Sequence, residues 1–232
     1  MTMEIIWYGS SCVRLKGREG VVAADPYRSI VGPTGRGLTA DIVTYGHPDD
    51  SAPTGRDSRS AKPAVESRQL GVPLPTSLEK AFVLDSPGEY EVHDVMTTAV
   101  RTFRDPEGGQ QRGMSTSYVY ELDGIYVAHL GDVGQLLSQE AIGELGHVDI
   151  LCLGIGPHLS TAHAVELIAQ LDAHLVVPLP LSDAAAEPEA NLARFLKEMN
   201  VSNPQPIAKL NVTISTVPRE TAVVLLEQRG RN

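Results

Sequence analysis

The sequence predicts an α/β fold in which strands dominate the first half and strands alternate with helices in the second. Three observations carry this. Short β-branched runs bounded by Gly, Pro, Asn and Asp fill residues 1–130. An Asp123-Gly124 pair joins two such runs, the strongest short-range hairpin signal. From Ser138 onward, apolar residues recur at i, i+3, i+4 and i+7 between buried-strand runs.

The strands are read in order. Glu4 to Tyr8 and Cys12 to Leu15 flank a Gly-Ser-Ser turn, and Gly20 to Ala24 ends at Asp25-Pro26. Asp41 to Thr44, Ala81 to Leu84, Glu89 to Val92 and Val95 to Phe103 follow. The stretch from His47 to about Lys62 is rich in Pro, Gly, Ser and Arg and reads as a surface loop. Residues 105–113 (DPEGGQQRG) read as another loop. Ser117 to Leu122 and Ile125 to Leu130 form the hairpin around Asp123-Gly124.

In the second half, Ser138 caps a helix to Leu145, which Gly146 ends. Val148 to Leu153 is a buried strand. Thr161 caps a helix whose Ala164, Leu167, Ile168 and Leu171 share a face, and His174 to Val177 is the next strand. Leu192, Phe195, Leu196 and Met199 repeat the helical spacing. Strands near Ile207 to Val212 and Thr221 to Leu226 close the chain. No repeat of 20–50 residues is present, which argues against a solenoid.

Composition narrows the function. With 232 residues and 42% apolar content, the chain can bury one large core, so a single domain over residues 1–232 is expected. A net charge of -10 argues against a nucleic-acid binder. No apolar run reaches membrane-spanning length, and residues 1–9 lack the pattern of a signal peptide, so a cytoplasmic protein without a membrane partner is expected. Cys12 and Cys152 are far apart in apolar surroundings and read as buried thiols rather than a disulfide or zinc pair.

Chemistry would sit at strand ends. The segment Tyr45-Gly46-His47-Pro48-Asp49-Asp50 follows a buried strand and offers an imidazole and two carboxylates, a set able to bind a metal or form an ordinary Asp-rich turn. Gly131-Asp132-Val133-Gly134 puts a carboxylate between glycines after another strand. Arg104 follows a third, and Pro180 a fourth. His129 reads as a buried neighbour of Asp132, whereas His93, His147, His158, His163 and His174 read as surface or capping residues.

Together these pieces resemble a known family. Trp7-Tyr8-Gly9-Ser10-Ser11-Cys12, Asp25-Pro26-Tyr27, Ala40-Asp41-Ile42-Val43-Thr44, Ser86-Pro87-Gly88-Glu89-Tyr90-Glu91, His129-Leu130-Gly131-Asp132 and Val148-Asp149-Ile150-Leu151 are similar in order and spacing to the metallo-β-lactamase superfamily, in particular its UlaG-like branch of zinc-dependent hydrolases. The resemblance implies a four-layer αββα sandwich and self-association into a homo-oligomer.

It also implies ligand positions, and here the chain departs from the family. The first family motif, His-x-His-x-Asp-His, reads Tyr45-Gly46-His47-Pro48-Asp49-Asp50. A further ligand histidine matches Arg104, the bridging carboxylate matches Asp132, and the last ligand histidine matches Pro180. His47, Asp49 and Asp132 remain as metal candidates, with His47 and Asp49 also the catalytic candidates. Tyr45, Asp50, Arg104, His129 and Pro180 are expected to line the cleft.

A guanidinium and a metal cation compete for one place. Dinuclear zinc is therefore not expected. The cofactor is expected to be none, or one divalent ion (Mn, Mg or Zn), a carboxylate-rich set with one His suiting Mn²⁺ or Mg²⁺ better than tetrahedral zinc. The expectation is a pseudoenzyme with an altered site, in which Arg104 pairs with Asp132 or Asp49 in place of the metal charge. The alternative is a hydrolase with one metal on His47, Asp49, Asp50 and Asp132. No phosphate-cradling or base-stacking motif identifies a small-molecule ligand.

Overall fold

A computed structural model describes residues 2–50, 65–181 and 187–230. Most of the loop expected from His47 to Lys62 lies outside these residues. The described chain contains strands β1 (Met3–Gly9), β2 (Cys12–Lys16), β3 (Val21–Ala24), β4 (Ile42–Thr44), β5 (Phe82–Leu84), β6 (Gly88–Val92), β7 (Val95–Phe103), β8 (Met114–Leu122), β9 (Ile125–His129), β10 (Ile150–Ile155), β11 (Leu175–Pro180), β12 (Leu210–Val212) and β13 (Ala222–Val223). Its helices are α1 (Arg28–Val31), α2 (Gln139–Leu145), α3 (Thr161–Gln170) and α4 (Pro188–Glu198).

The strands form two mixed sheets. One has the order β12-β1-β2-β3-β4-β5 and the other β13-β11-β10-β9-β8-β7-β6. The meanders β1-β2-β3 and β6-β7-β8-β9 are antiparallel, while β3-β4-β5 and β9-β10-β11-β13 are parallel.

Period-two alternation explains the layers. In β1, Met3, Ile5 and Trp7 enter the core between the sheets, and Ile6 and Tyr8 enter the outer layer. In β10, Ile150 and Cys152 face the first sheet, whereas Leu151, Leu153 and Ile155 face the helices. Both strands therefore read as nearly continuous apolar runs, as strands covered on both faces must. Leu145, Leu167, Ile168, Phe195 and Leu196 of α2, α3 and α4 cover the second sheet. Among the described residues, Val31 of α1 and Leu38, Val72, Leu74 and Leu78 cover the outer face of the first sheet.

Local chemistry sets the element ends. Ser138 accepts a hydrogen bond from the Ala141 amide and caps α2. Ser160, not Thr161, caps α3 by accepting from the His163 amide, so the helix starts one residue earlier than expected. Asp123 and Gly124 both adopt positive φ, as a tight two-residue hairpin requires.

Strand β11 runs further than expected, through Pro178 and Pro180. Its even-numbered backbone groups face β13, which pairs only with Leu175 and Val176. Beyond Val176 that edge has no ladder partner among the described residues, so prolines lose no hydrogen bond to them there. Among the described residues no helix is long and apolar enough to cross a membrane.

Both thiols are free and wholly buried. Burial pushes the Cys152 thiol up to about 12. Burial, and secondarily the Asp25 charge, raise that of Cys12. Since the thiolate is the reactive form, the native protein is expected to show no labelling by a thiol-specific chromogenic reagent at pH 8. Both cysteines should label once the chain is unfolded.

Candidate functional site

Several strand ends meet on one rim of the sandwich. The β1–β2 turn supplies Ser10 and Ser11, and the segment after β4 supplies His47, Asp49 and Asp50. Arg104 follows β7, Asp132 follows β9, His158 follows β10 and Leu181 follows β11. With Tyr27, Ser29, Ile30, Arg112 and Pro157 they line one cavity of about 350 Å³. Ligand sites in α/β sheets commonly lie outside strand carboxyl ends.

Backbone hydrogen bonds hold the β4 segment in place. The Asp25 Oδ1 atom accepts from the Gly46 amide at 3.0 Å. The Tyr27 hydroxyl donates to the His47 carbonyl at 2.8 Å and accepts from the His47 amide at 3.1 Å. The Tyr27 and His47 rings stack with centroids 5.1 Å apart. The His47 Nδ1 atom lies 2.6 Å from the Pro48 carbonyl, which can only accept, so Nδ1 is the donor.

Arg104 is the centre of the site. It is 4% exposed, and Asp132 is 9% exposed. The Asp132 Oδ2 atom accepts from Arg104 Nε at 3.2 Å and Nη2 at 2.9 Å, and pairs with Arg112 Nη1 at 2.9 Å. Arg104 Nη2 also donates to the Asp50 carboxylate, and Nη1 donates to the Arg112 carbonyl at 3.1 Å. Burial works against the Arg104 charge, but its hydrogen bond to the Asp50 carboxylate and the charge of Asp132 outweigh it and raise the guanidinium pKa. Asp49 is engaged elsewhere, accepting from the Ser29 hydroxyl at 2.7 Å and the Ser29 amide at 3.3 Å.

The pairing of Arg104 with Asp132 is as the sequence leads one to expect, while its second carboxylate is Asp50 rather than Asp49. Three residues expected in the cleft do not line it. Tyr45 is wholly buried, because alternation along β4 turns it with Val43 into the outer core beside Tyr27. His129 is buried behind the rim, its Nε2 donating to the Ser11 carbonyl at 2.8 Å. Pro180 lines a neighbouring cavity with Trp7 and Arg36, and the next residue, Leu181, reaches the site.

Ser29 and Arg112 belong to the cavity although nothing in the sequence singled them out, Ser10 and Ser11 entered only through the family resemblance, and His158, expected as a surface or capping residue, lines the cavity as well. The signal for Arg112 was Asp105. Its carboxylate accepts from the amides of Glu107, Gly109, Gln111 and Arg112 at 3.0, 3.0, 3.1 and 2.7 Å, folding residues 105–112 back toward Arg104. Burial pushes the Asp105 carboxyl up, but these donors outweigh it and hold it below the ordinary carboxylate value.

A depressed folded pKa means stability that is complete above the unfolded value, about 3.9, and lost as pH falls through the folded one. Asp105→Asn is therefore expected to unfold at a lower temperature than the parent at pH 7. The gap should narrow below about pH 4. Calorimetry across pH 3–7 checks this.

Both carboxylates nearest Arg104 are bound to its guanidinium, and His47 faces the cavity as the sole imidazole from the first motif. Among the described residues no group of three or more His, Cys, Asp or Glu is arranged to hold a metal ion. These residues do not fit the metal centre that the resemblance implies.

The comparisons agree on the family. Residues 4–180 match the Beta-lactamase superfamily domain. A UPF0173 metal-dependent hydrolase of Methanoregula boonei is 29% identical over 184 residues, covering 76% of this chain and 81% of that protein. One from Thermoplasma volcanium is 27% identical over 188 residues, covering 77% and 83%. The crystal structure of a metallo-β-lactamase superfamily protein from Thermotoga maritima superposes with a TM-score of 0.68 at 26% identity, covering 97% of this chain and 98% of that one. With this domain match, the two-sheet sandwich and the rim of strand ends, the chain belongs to the metallo-β-lactamase superfamily.

Proposed function

We propose that this chain is a non-hydrolytic member of the superfamily that binds a small molecule in the rim cavity without a metal ion. One observation carries the reading: the Arg104 guanidinium lies between Asp50 and Asp132 and donates to both. A buried fixed cation there supplies the charge that would otherwise hold these carboxylates together. A metal entering the same place would have to displace it against repulsion.

Protein isolated from cells grown with added zinc and manganese tests this by elemental analysis. Substoichiometric metal is the expected result, and two zinc ions per chain would overturn the reading.

A second reading is favoured by the names of the relatives, which are metal-dependent hydrolases. It places one ion on His47, Asp49, Asp50 and Asp132, with Arg104 swung aside. One equivalent of metal in the same analysis, lost in Asp132→Asn, would select it.

A further inference from the structure

We infer that the neighbouring cavity, beside β11, binds a small neutral aromatic molecule that carries a hydrogen-bond donor, of the phenol or indole class. Trp7, Pro178, Pro180, Leu192 and Leu225 give it apolar walls around a volume of about 650 Å³. Cavities of this size and lining take small organic molecules. Asp50, Arg104 and Asp132 are not among its walls, so the inference does not rest on the metal-free reading.

The need for a donor comes from strand β11. Its odd-numbered backbone groups bond to β10, and its even-numbered groups face β13. The ladder on that side ends where the Val224 amide donates to the Val176 carbonyl at 2.9 Å. Pro178 is the next even position. It is buried, and among the described residues no donor reaches its carbonyl. A buried carbonyl without a partner costs free energy that an incoming N–H or O–H recovers. Gln228 adds a second acceptor, because its Nε2 atom donates to the Tyr8 carbonyl at 3.3 Å and its Oε1 atom remains.

Other occupants fit this lining less well. A strand added to the β11 edge would meet prolines, which have no N–H to give it. A carboxylate would enter beside Glu187, and an ammonium beside Arg36, since both residues line the cavity. A neutral ring meets neither repulsion. The Trp7 indole N–H already donates to the Ser10 carbonyl at 2.8 Å, so the ring surface is what Trp7 offers a ligand. An aromatic body packs on that surface.

Calorimetric titration of the full chain with naphthol and with its methyl ether tests this. The two share a ring system and differ in the O–H. Naphthol is expected to bind about tenfold more tightly, the worth of one hydrogen bond. Trp7 is the only tryptophan in the chain, so the single indole N–H resonance reports on this cavity and should shift during the titration. Ala190→Phe fills the cavity from α4 and should weaken naphthol binding by about tenfold. Thermal unfolding verifies that this variant folds.

Equal affinity for naphthol and its methyl ether overturns the inference. So does saturable binding that leaves the Trp7 resonance in place, or the absence of saturable heat with naphthol. Tighter binding of naphthoate than of naphthol would show that Arg36 selects an anion, and overturns it as well. None of these outcomes bears on whether a metal enters the Arg104 site.

Discussion

Arg104→Met is expected to lower the unfolding free energy by about 3 kcal/mol, read from urea denaturation. Removing one partner of a buried ion pair leaves an uncompensated charge, at a cost of about 3–5 kcal/mol. The lower figure applies because Asp132 keeps its ion pair with Arg112. Adding Asp132→Leu should recover part of the loss, because a buried pair replaced by apolar groups is often nearly neutral. If the two losses simply add, the pair is not coupled and Arg104 does not hold Asp132.

Gly134→Ala is expected to cost about 3 kcal/mol, the upper end for overpacking a tight site. A methyl group there would sit 2.3 Å from the backbone carbonyl carbon and oxygen of Arg104 and 2.6 Å from the Asp105 amide nitrogen. Backbone cannot rotate out of the way as a side chain can, so the Asp132 loop or the β7 end must shift. The Gly134 amide also donates to the Phe103 carbonyl at 2.9 Å, which ties the same two segments together. The substitution should therefore separate Arg104 from Asp132 as well as destabilise the chain. Ala141→Gly, in α2 away from the rim, should cost about 1 kcal/mol and leave the site intact. Urea denaturation compares the two.

The fold was legible because its strands follow simple chemistry. Every expected strand from Glu4 to Leu130 is present, and Val95–Phe103 matches at both ends. Errors arose where two signals competed. Ser160 and Thr161 can each cap a helix, and the first of them does. Pro178 looked like a strand stop, but an edge without a ladder partner accepts it.

The site was legible in part, for a related reason. His47, Asp49, Asp50, Arg104 and Asp132 were visible because each follows a strand or its turn, and all five line the cavity. Tyr45, His129 and Pro180 share those stretches but point elsewhere. Alternation turns Tyr45 into the outer core, and a one-residue difference separates Pro180 from Leu181. Arg112 and His158 lie in connecting loops, where no periodicity announces a direction. Only the fold of the Asp105 turn brings Arg112 to Asp132.

The central claim is that a guanidinium stands where a metal would be held. The most direct measurement is isothermal titration of the chelator-treated protein with Zn²⁺ and Mn²⁺, beside Arg104→His. Wild type is predicted to give no saturable heat. Arg104→His restores an imidazole beside Asp50, Asp132 and His47, and should take up one ion. Stoichiometric, saturable binding of either metal to the wild-type chain would contradict the account.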